Sequence, residues 1–232
     1  MTDRPPPSSS LLKTTLREVL SLFALTTGLL SILYRFRAFP VVDEYLAVVA
    51  ALLFLYLPAW FLWKRGHELE DYGLRFRPIG KSLLLWVLFS VVVLVPFGFA
   101  YDSFVQTVCP KFLLKWIQCP TPFARSLRLP PKFLLLVLSQ VLVVALPEEF
   151  FFRGFVQKRL AQTLSPSQSI LLQSALFALG HYLVTWNPAS LLVFFPGLLF
   201  GLLRHLSQTI LPGTLFHATC NLTMELLKRS VG

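Results

Sequence analysis

Residues 140 to 154 read QVLVVALPEEFFFRG, in which two adjacent carboxylates and an arginine follow a long apolar run. Similar apolar runs recur along the chain. Of its 232 residues, 55% are hydrophobic and 14% are charged, whereas soluble domains carry roughly 25% charged residues. A charge at bilayer depth costs roughly 2.5 to 3.5 kcal/mol on insertion scales, so ionisable residues there tend to be functional.

Seven apolar runs predict membrane-spanning helices. Most of them approach the roughly 20 apolar residues that cross a hydrocarbon layer about 30 Å thick. We therefore predict an all-α fold, a polytopic transmembrane helical bundle of seven to eight spans. The runs are residues 19–34, 45–63, 82–101, 133–147, 160–180, 182–203 and 206–224. In residues 104–118, lysines interrupt the apolar residues, so we expect this segment to lie along the interface or to dip into the bilayer.

The chain is predicted to form one membrane domain behind a short leader. Residues 1–10 are rich in proline and serine and have nothing to bury, so we expect them to be disordered. Residues 11–229 show no internal repeat and no change in composition that would divide them. The first eighteen residues are too long and polar for a cleavable signal peptide, so the first helix should remain as an anchor. We expect a multi-pass integral protein, and the short length favours a bacterial plasma (inner) membrane.

The net charge of +10 does not indicate a nucleic-acid partner. The basic residues are scattered over the interhelical loops and form no stripe interleaved with aromatic residues, so they fit loops that lie at anionic lipid headgroups. Cys109 and Cys119 bracket the stretch CPKFLLKWIQC in a long loop. They are either free thiols or a loop disulfide.

Pro147 is predicted to end the fourth span. The residues after it, including Phe150, Phe151 and Arg153, mix aromatic and charged side chains. We expect them to form a separate helix that straddles the membrane interface. That helix should end near residues 165–168, where Ser165 or Ser167 can cap the next span.

Few strongly polar side chains fall at membrane depth, and all of them lie in the C-terminal half of the chain: Glu148, Glu149, Arg153, His181, His217 and Asn221. Glu149 and Arg153 are four residues apart and should meet on one helix face. Glu148 then points about 100° away, free to face a cavity. His217 and Asn221 are also four apart and share a face of the last helix.

Each of these groups has a structural interpretation as well. An intramembrane histidine is often a hydrogen-bonded core residue, a Glu/Arg pair is often a structural ion pair, and an asparagine often joins two helices. Their joint occurrence on three helices favours one site. A glutamate, two histidines and an asparagine supply a general base, a second group that transfers protons, and hydrogen-bond donors for an oxyanion. Such a set of groups can catalyse hydrolysis.

The motifs Glu148-Glu149-x-x-x-Arg153, Phe177-x-x-x-His181 and His217-x-x-x-Asn221 resemble, in order, those of a known family. It is the CAAX prenyl endopeptidase and bacteriocin-processing (CPBP, or Abi) family of glutamic intramembrane proteases. The resemblance covers about residues 130–227, and DYGLR at 71–75 is similar to a loop of bacterial members. It implies an endopeptidase that hydrolyses a peptide bond near the membrane in a CAAX-like tail, a sorting-signal tail or a leader peptide, including lipidated or membrane-anchored substrates.

The resemblance also implies roles for the site residues. Glu148 and His181 would activate a water molecule for attack on a peptide carbonyl. His217 and Asn221 would donate hydrogen bonds to the tetrahedral oxyanion. Glu149 would be held beside the site by Arg153, and the family mechanism implies no metal or other cofactor.

Other functions stay open on the sequence alone. A zinc protease could use Glu148, His181 and His217 as ligands, but the chain has no H-E-x-x-H motif and Asn221 would be idle. A cysteine protease using Cys220 is less favoured, because that side chain lies well off the face of the last helix that carries His217. A non-catalytic protein, such as an immunity factor, a scaffold or a proton-coupled carrier, could use the same buried glutamate.

Overall fold

The computed structural model describes residues 9–75, 77–103 and 130–229, and this part of the chain contains seven long helices and no strand. The all-α prediction is therefore confirmed for these residues. The helices are α1 (Ser9–Arg35), α2 (Pro40–Lys64), α3 (Ile79–Phe89, continuing through Ser90–Leu94 to Val95–Ser103), α4 (Phe133–Leu160), α5 (Pro166–Thr185), α6 (a 3₁₀ turn Pro188–Val193 followed by Phe194–Ser207) and α7 (Leu211–Arg229). A short 3₁₀ helix, Leu69–Tyr72, lies between α2 and α3.

Five of these helices are long and apolar enough to cross a membrane: α1, α2, Ile79–Tyr101 of α3, α4 and the whole of α6. Helix α3 also exposes large apolar side chains along its length, including Leu84, Val92 and Phe99, which is 81% exposed. Soluble monomers rarely display such continuous apolar surface. The protein is thus an integral membrane protein, and five of the predicted seven to eight spans are supported by helix length and hydropathy.

The beginning of α1 and the long loop bear on two of the sequence predictions. Helix α1 begins at Ser9, two residues before the predicted domain boundary. Residues 1–8 of the leader lie outside the described residues. So do the segment 104–118 and both Cys109 and Cys119.

Helix α4 runs unbroken through Pro147, so the prediction of two separate helices is wrong. Between its α-helical parts, Gln140–Ala145 and Phe150–Val156 are π-helical. A proline lacks the N–H that an α-helix uses and its ring crowds the preceding turn. A wider π turn next to the proline re-forms the backbone hydrogen bonds, as happens in many membrane helices. The helix therefore continues instead of ending.

The aromatic residues after Pro147 lie in the core of the bundle. Phe150, Phe151, Phe152 and Phe155 are each at most 1% exposed. Helices α2, α5 and α6 and the 3₁₀ helix Leu69–Tyr72 all pack against this part of α4. A helix that is surrounded on all sides buries every face. Helix α4 is thus the centre of the bundle, and the residues expected to form a separate helix are a buried segment of it.

Helix α5 begins with a capping box, as the sequence predicts for Ser165. The Gln168 backbone N–H donates to Ser165 Oγ, and the Ser165 N–H donates to Gln168 Oε1 at 3.0 Å. These two bonds satisfy N–H groups that an uncapped helix would leave without partners. The cap fixes where the chain turns back into the bundle after α4.

The loop that contains DYGLR is anchored to the turn between α6 and α7. The Ile210 N–H donates to the Gly73 carbonyl at 3.1 Å, and the Thr209 hydroxyl donates to the Arg75 carbonyl at 2.7 Å. Gly73 has a φ of 95°, a conformation that favours glycine. Tyr72 is buried and stacks on Phe155 of α4. The loop thereby ties α4 to the α6–α7 turn.

Gly154 of α4 provides a test of this close docking. A Cβ atom at Gly154 would lie 2.8 Å from the Tyr72 carbonyl oxygen, and backbone cannot move aside as a flexible side chain can. We expect Gly154→Ala to destabilise the protein by about 1 to 3 kcal/mol, seen as a lower Tm in detergent. Gly28→Ala is the matched control, since no atom lies within 4 Å of its Cβ. Equal Tm values for Gly154→Ala and the wild type would contradict the close contact.

Candidate active site

The three polar motifs lie on three helices that meet in the bundle. They are Glu148, Glu149 and Arg153 on α4, Phe177 and His181 on α5, and His217 and Asn221 on α7. Helix α7 packs against α4, and α6 packs against both α5 and α7. The helices therefore bring the polar groups of separate motifs within reach of one another.

Glu149 and Arg153 form a fully buried ion pair. Arg153 Nη1 lies 3.0 Å from Glu149 Oε1, and both side chains are 0% exposed. The guanidinium lies over the rings of Phe177 (4.2 Å to the centroid) and Phe200 (4.8 Å). Its Nη2 is also 3.5 Å from the Gly197 carbonyl oxygen. Carboxylate, ring faces and carbonyl together compensate a charge that no solvent reaches.

The same carboxylate oxygen fixes His217. His217 Nδ1 lies 3.0 Å from Glu149 Oε1, and its ring stacks on Phe200 with centroids 4.7 Å apart. An ionised carboxylate only accepts hydrogen bonds, so Nδ1 carries the proton that it donates. Gly213 makes room for this arrangement, because a Cβ there would lie 2.9 Å from Glu149 Oε2. Glu149 thus orients His217 in addition to pairing with Arg153.

Glu148 lies between two imidazoles. Its Oε2 is 3.8 Å from His217 Nε2 and 4.0 Å from His181 Nε2. His181 Nδ1 is 3.0 Å from the Phe177 carbonyl oxygen, which can only accept, so Nδ1 is the donor and Nε2 faces Glu148. The separations from Glu148 exceed a direct hydrogen bond. They leave the carboxylate free to bind another group.

Asn221 is placed differently from the other three predicted catalytic residues. Among the described residues, its side-chain hydrogen-bond partner is Gln140 of α4, whose Oε1 accepts from Asn221 Nδ2 at 3.1 Å. The structure therefore brings Glu148, His181 and His217 together and holds Asn221 one helical turn beyond His217. The sequence did carry a signal for Gln140, since it is a lone glutamine in the apolar run 133–147.

A cavity of about 320 Å³ opens beside Glu148 and His181. Its wall is mostly apolar and comes from α1, α2 and α5, including Leu30, Ala50, Phe54 and Val184. Glu148 and His181 line this cavity, whereas His217 and Asn221 are not among its lining residues. The polar cluster thus has an accessible side, formed by Glu148 and His181, and a buried side, formed by Glu149, Arg153 and His217.

Two alternatives from the sequence concern metals and thiols. In residues 9–75, 77–103 and 130–229, no group of three or more His, Cys, Asp or Glu side chains is arranged to hold a metal ion. Cys220 is a free, half-buried thiol. The arrangement that the structure does form is a set of carboxylates and imidazoles that can move or hold protons.

Residues 130–223 match the family model described as Type II CAAX prenyl endopeptidase Rce1-like. The match includes all three motifs and confirms the resemblance seen in the sequence. This family is one of membrane proteases, so the match supports a membrane peptidase. Neither the search of curated proteins nor the search of solved structures found a match.

The buried ion pair generates a stability prediction. Arg153→Met keeps most of the apolar stem but leaves Glu149 buried without its cation. We expect a loss of about 3 to 5 kcal/mol, measured as a lower Tm in detergent. Arg37→Met is the matched control, because Arg37 is exposed and should leave the Tm near that of the wild type.

A double-mutant cycle separates the ion pair from general packing. In a Glu149→Gln background, Arg153→Met no longer leaves an unpaired charge, so its cost should fall by about 0.5 to 3 kcal/mol. Additive losses in the two single variants and the double variant would show that the two charges do not stabilise each other.

Proposed function

We propose that the protein is an intramembrane glutamic-type endopeptidase that hydrolyses a peptide bond near the membrane in a protein or peptide substrate. The observation that carries this proposal is the position of Glu148, whose carboxylate lies within 4.0 Å of the Nε2 atoms of both His181 and His217. The family match over residues 130–223 supports a peptidase. All seven helices would cross the membrane, within one domain of residues 11–229.

In the proposed reaction, Glu148 and His181 activate the attacking water. The Glu148 carboxylate and His181 Nε2 face each other at the edge of the open cavity. A water held between them transfers one proton to Glu148 as its oxygen bonds to the peptide carbonyl carbon. Glu148 then gives this proton to the leaving amine nitrogen as the C–N bond breaks. His181 orients the water and accepts its second hydrogen bond.

His217 would stabilise the oxyanion as an imidazolium. Its Nδ1–H already donates to Glu149, so it can donate from Nε2 only when both nitrogens are protonated. With Glu148 and Glu149 ionised and with Arg153 and His217 positively charged, the buried cluster carries no net charge. The absence of net charge lowers the free-energy cost of burying a charged histidine inside the bundle.

Asn221 would be the second oxyanion donor, and Gln140 would position it. The Asn221 amide has two N–H bonds, of which one donates to Gln140 Oε1. The other remains for the developing negative charge. A donor of this kind in a water-poor site is worth about 2.7 to 4 kcal/mol in the transition state.

The cavity beside Glu148 indicates how a substrate would lie. Its apolar wall between α1, α2 and α5 fits a hydrophobic side chain or a lipid group of a membrane-anchored protein. Prenylated CAAX tails, sorting-signal tails and leader peptides meet this description. A bacterial plasma (inner) membrane is the proposed location.

A comparison of protein termini in cells tests the proposed activity. Cells that carry wild-type protein should contain at least one membrane-protein or lipoprotein terminus, identified by mass spectrometry, that is absent with Glu148→Gln. Glu44→Gln is the matched control, since Glu44 is an exposed carboxylate of α2 and should support the same cleavage as wild type. A phenotype that survives both Glu148→Gln and Asn221→Ala would favour a scaffold, an immunity factor or a carrier.

Once the termini comparison has identified a substrate, its cleavage in vitro distinguishes a glutamic protease from a zinc protease. Cleavage by the purified enzyme should persist after treatment with a chelator, and the protein should contain no bound zinc. Loss of cleavage that added zinc restores would replace the glutamic mechanism with a metal-dependent one.

Asn221 provides a separate test of the oxyanion site. Asn221→Leu keeps much of the side-chain volume and removes the donor, so we expect kcat to fall by about 100-fold or more, with a nearly unchanged KM. Thr223→Val on the same helix is the control and should retain turnover. If Asn221 only joins α7 to α4, Asn221→Leu should instead cost about 0.6 to 2 kcal/mol of stability, with turnover per folded molecule retained.

A further inference from the structure

A second cavity, of about 120 Å³, lies at the end of the bundle where α4 and α6 end and α5 begins. It shares no lining residue with the cavity beside Glu148. Its lining includes Arg153, Lys158, Arg204 and His205 and no carboxylate. The volume accommodates several water molecules or one tetrahedral oxyanion. The charge of its wall favours an anion.

Arg204 carries a buried positive charge that such an anion would stabilise. It is 5% exposed, its Nε has no hydrogen-bond partner, and no carboxylate among the described residues forms an ion pair with it. The other two buried arginines have partners, because Arg153 pairs with Glu149 and Arg159 pairs with Glu18. An arginine cannot relieve the cost of burial by losing its proton. A buried charge of this kind is strongly unfavourable unless a counter-ion accompanies it.

The neighbours of Arg204 leave the cavity accessible. Lys158 is half-buried, and His205 and Gln208 are exposed at its rim. On its inner side, the Arg204 guanidinium packs against Gly73, where a Cβ would lie 3.0 Å from Arg204 Nε. An anion can therefore enter from the end of the bundle and meet a cation held in place by the DYGLR loop.

We propose that this cavity binds a phosphate-type oxyanion through Arg204 and Lys158. Guanidinium and ammonium groups form strong charge-assisted hydrogen bonds with phosphate oxygens. The site lies where α4 and α6, two helices long enough to cross a membrane, end. Basic pockets between such helices are suited to lipid headgroups. The phosphate group belongs either to an anionic phospholipid or to a soluble phosphate.

Thermal unfolding of the full-length, delipidated protein in neutral detergent tests the site. Inorganic phosphate should raise the Tm saturably relative to chloride at equal ionic strength, because a ligand that binds only the folded state stabilises it. Lys158→Gln and Arg204→Met should each weaken the apparent affinity by roughly tenfold or more. Lys64→Gln is the matched control: this exposed lysine lies at the end of α2 and outside the cavity, and the variant should respond as wild type does.

A second arm identifies the source of the phosphate. The protein is reconstituted in vesicles of phosphatidylcholine with or without phosphatidylglycerol. A higher Tm with phosphatidylglycerol that disappears in Lys158→Gln supports the site and assigns it to a lipid headgroup. A response to inorganic phosphate without a preference for phosphatidylglycerol supports the site and assigns it to a soluble anion.

The proposal fails if neither probe raises the Tm of the wild-type protein. It also fails if Lys158→Gln responds as the wild type does. The Lys158 side chain is only half-buried, so this variant should fold even if Arg204→Met does not. The measurement uses no substrate, and its outcome is independent of the proposed peptidase activity.

Discussion

The buried pair of Glu149 and Arg153 is the interaction on which the rest of the site depends. Both charges are inaccessible to solvent, so each is tolerated only while the other stays in place. Glu149 also accepts the Nδ1 proton of His217, which joins α4 to α7. Phe200 of α6 contacts both the guanidinium and the imidazole ring. A single carboxylate oxygen thereby joins α4 to α7, and Phe200 packs α6 against the same two side chains.

Adjacent residues of one helix have opposite environments because their side chains point about 100° apart. Glu149 is 0% exposed and its Oε1 contacts both Arg153 and His217, whereas Glu148 is 17% exposed and its Oε2 lies 3.8 Å and 4.0 Å from the two imidazoles beside it. The π-helical segments on either side, which often mark functional sites, keep the helix continuous here. Two neighbouring carboxylates can thus supply a fixed support and a free group that exchanges protons.

The sequence predicted what depends on local spacing, and it missed what depends on packing between helices. Side chains four residues apart on one helix meet whatever the tertiary structure, so the pairing within α4 followed from the sequence. The contact of Gln140 with Asn221 and the stacking of Phe200 on His217 join different helices, so spacing along the chain predicts neither pairing. Gln140 itself is recognisable in the sequence as a lone glutamine in an apolar run. The helix break expected at Pro147 was wrong, because a π turn next to the proline lets the helix continue. Helix propensities of single residues do not describe that adjustment.

Arg153 lies between the catalytic cluster and the cavity that contains Arg204. It pairs with Glu149 on the side of the catalytic cluster, and it lines the cavity that contains Arg204 at the end of the bundle. A phosphate in the second cavity would attract Arg153 as well as Arg204, whereas Glu149 holds Arg153 toward His217. Because a 0% exposed side chain in a packed core has little room to move, the anion would offset the positive charge of Arg204 without displacing Arg153. The two sites can therefore share one buried cation while the catalytic geometry stays fixed.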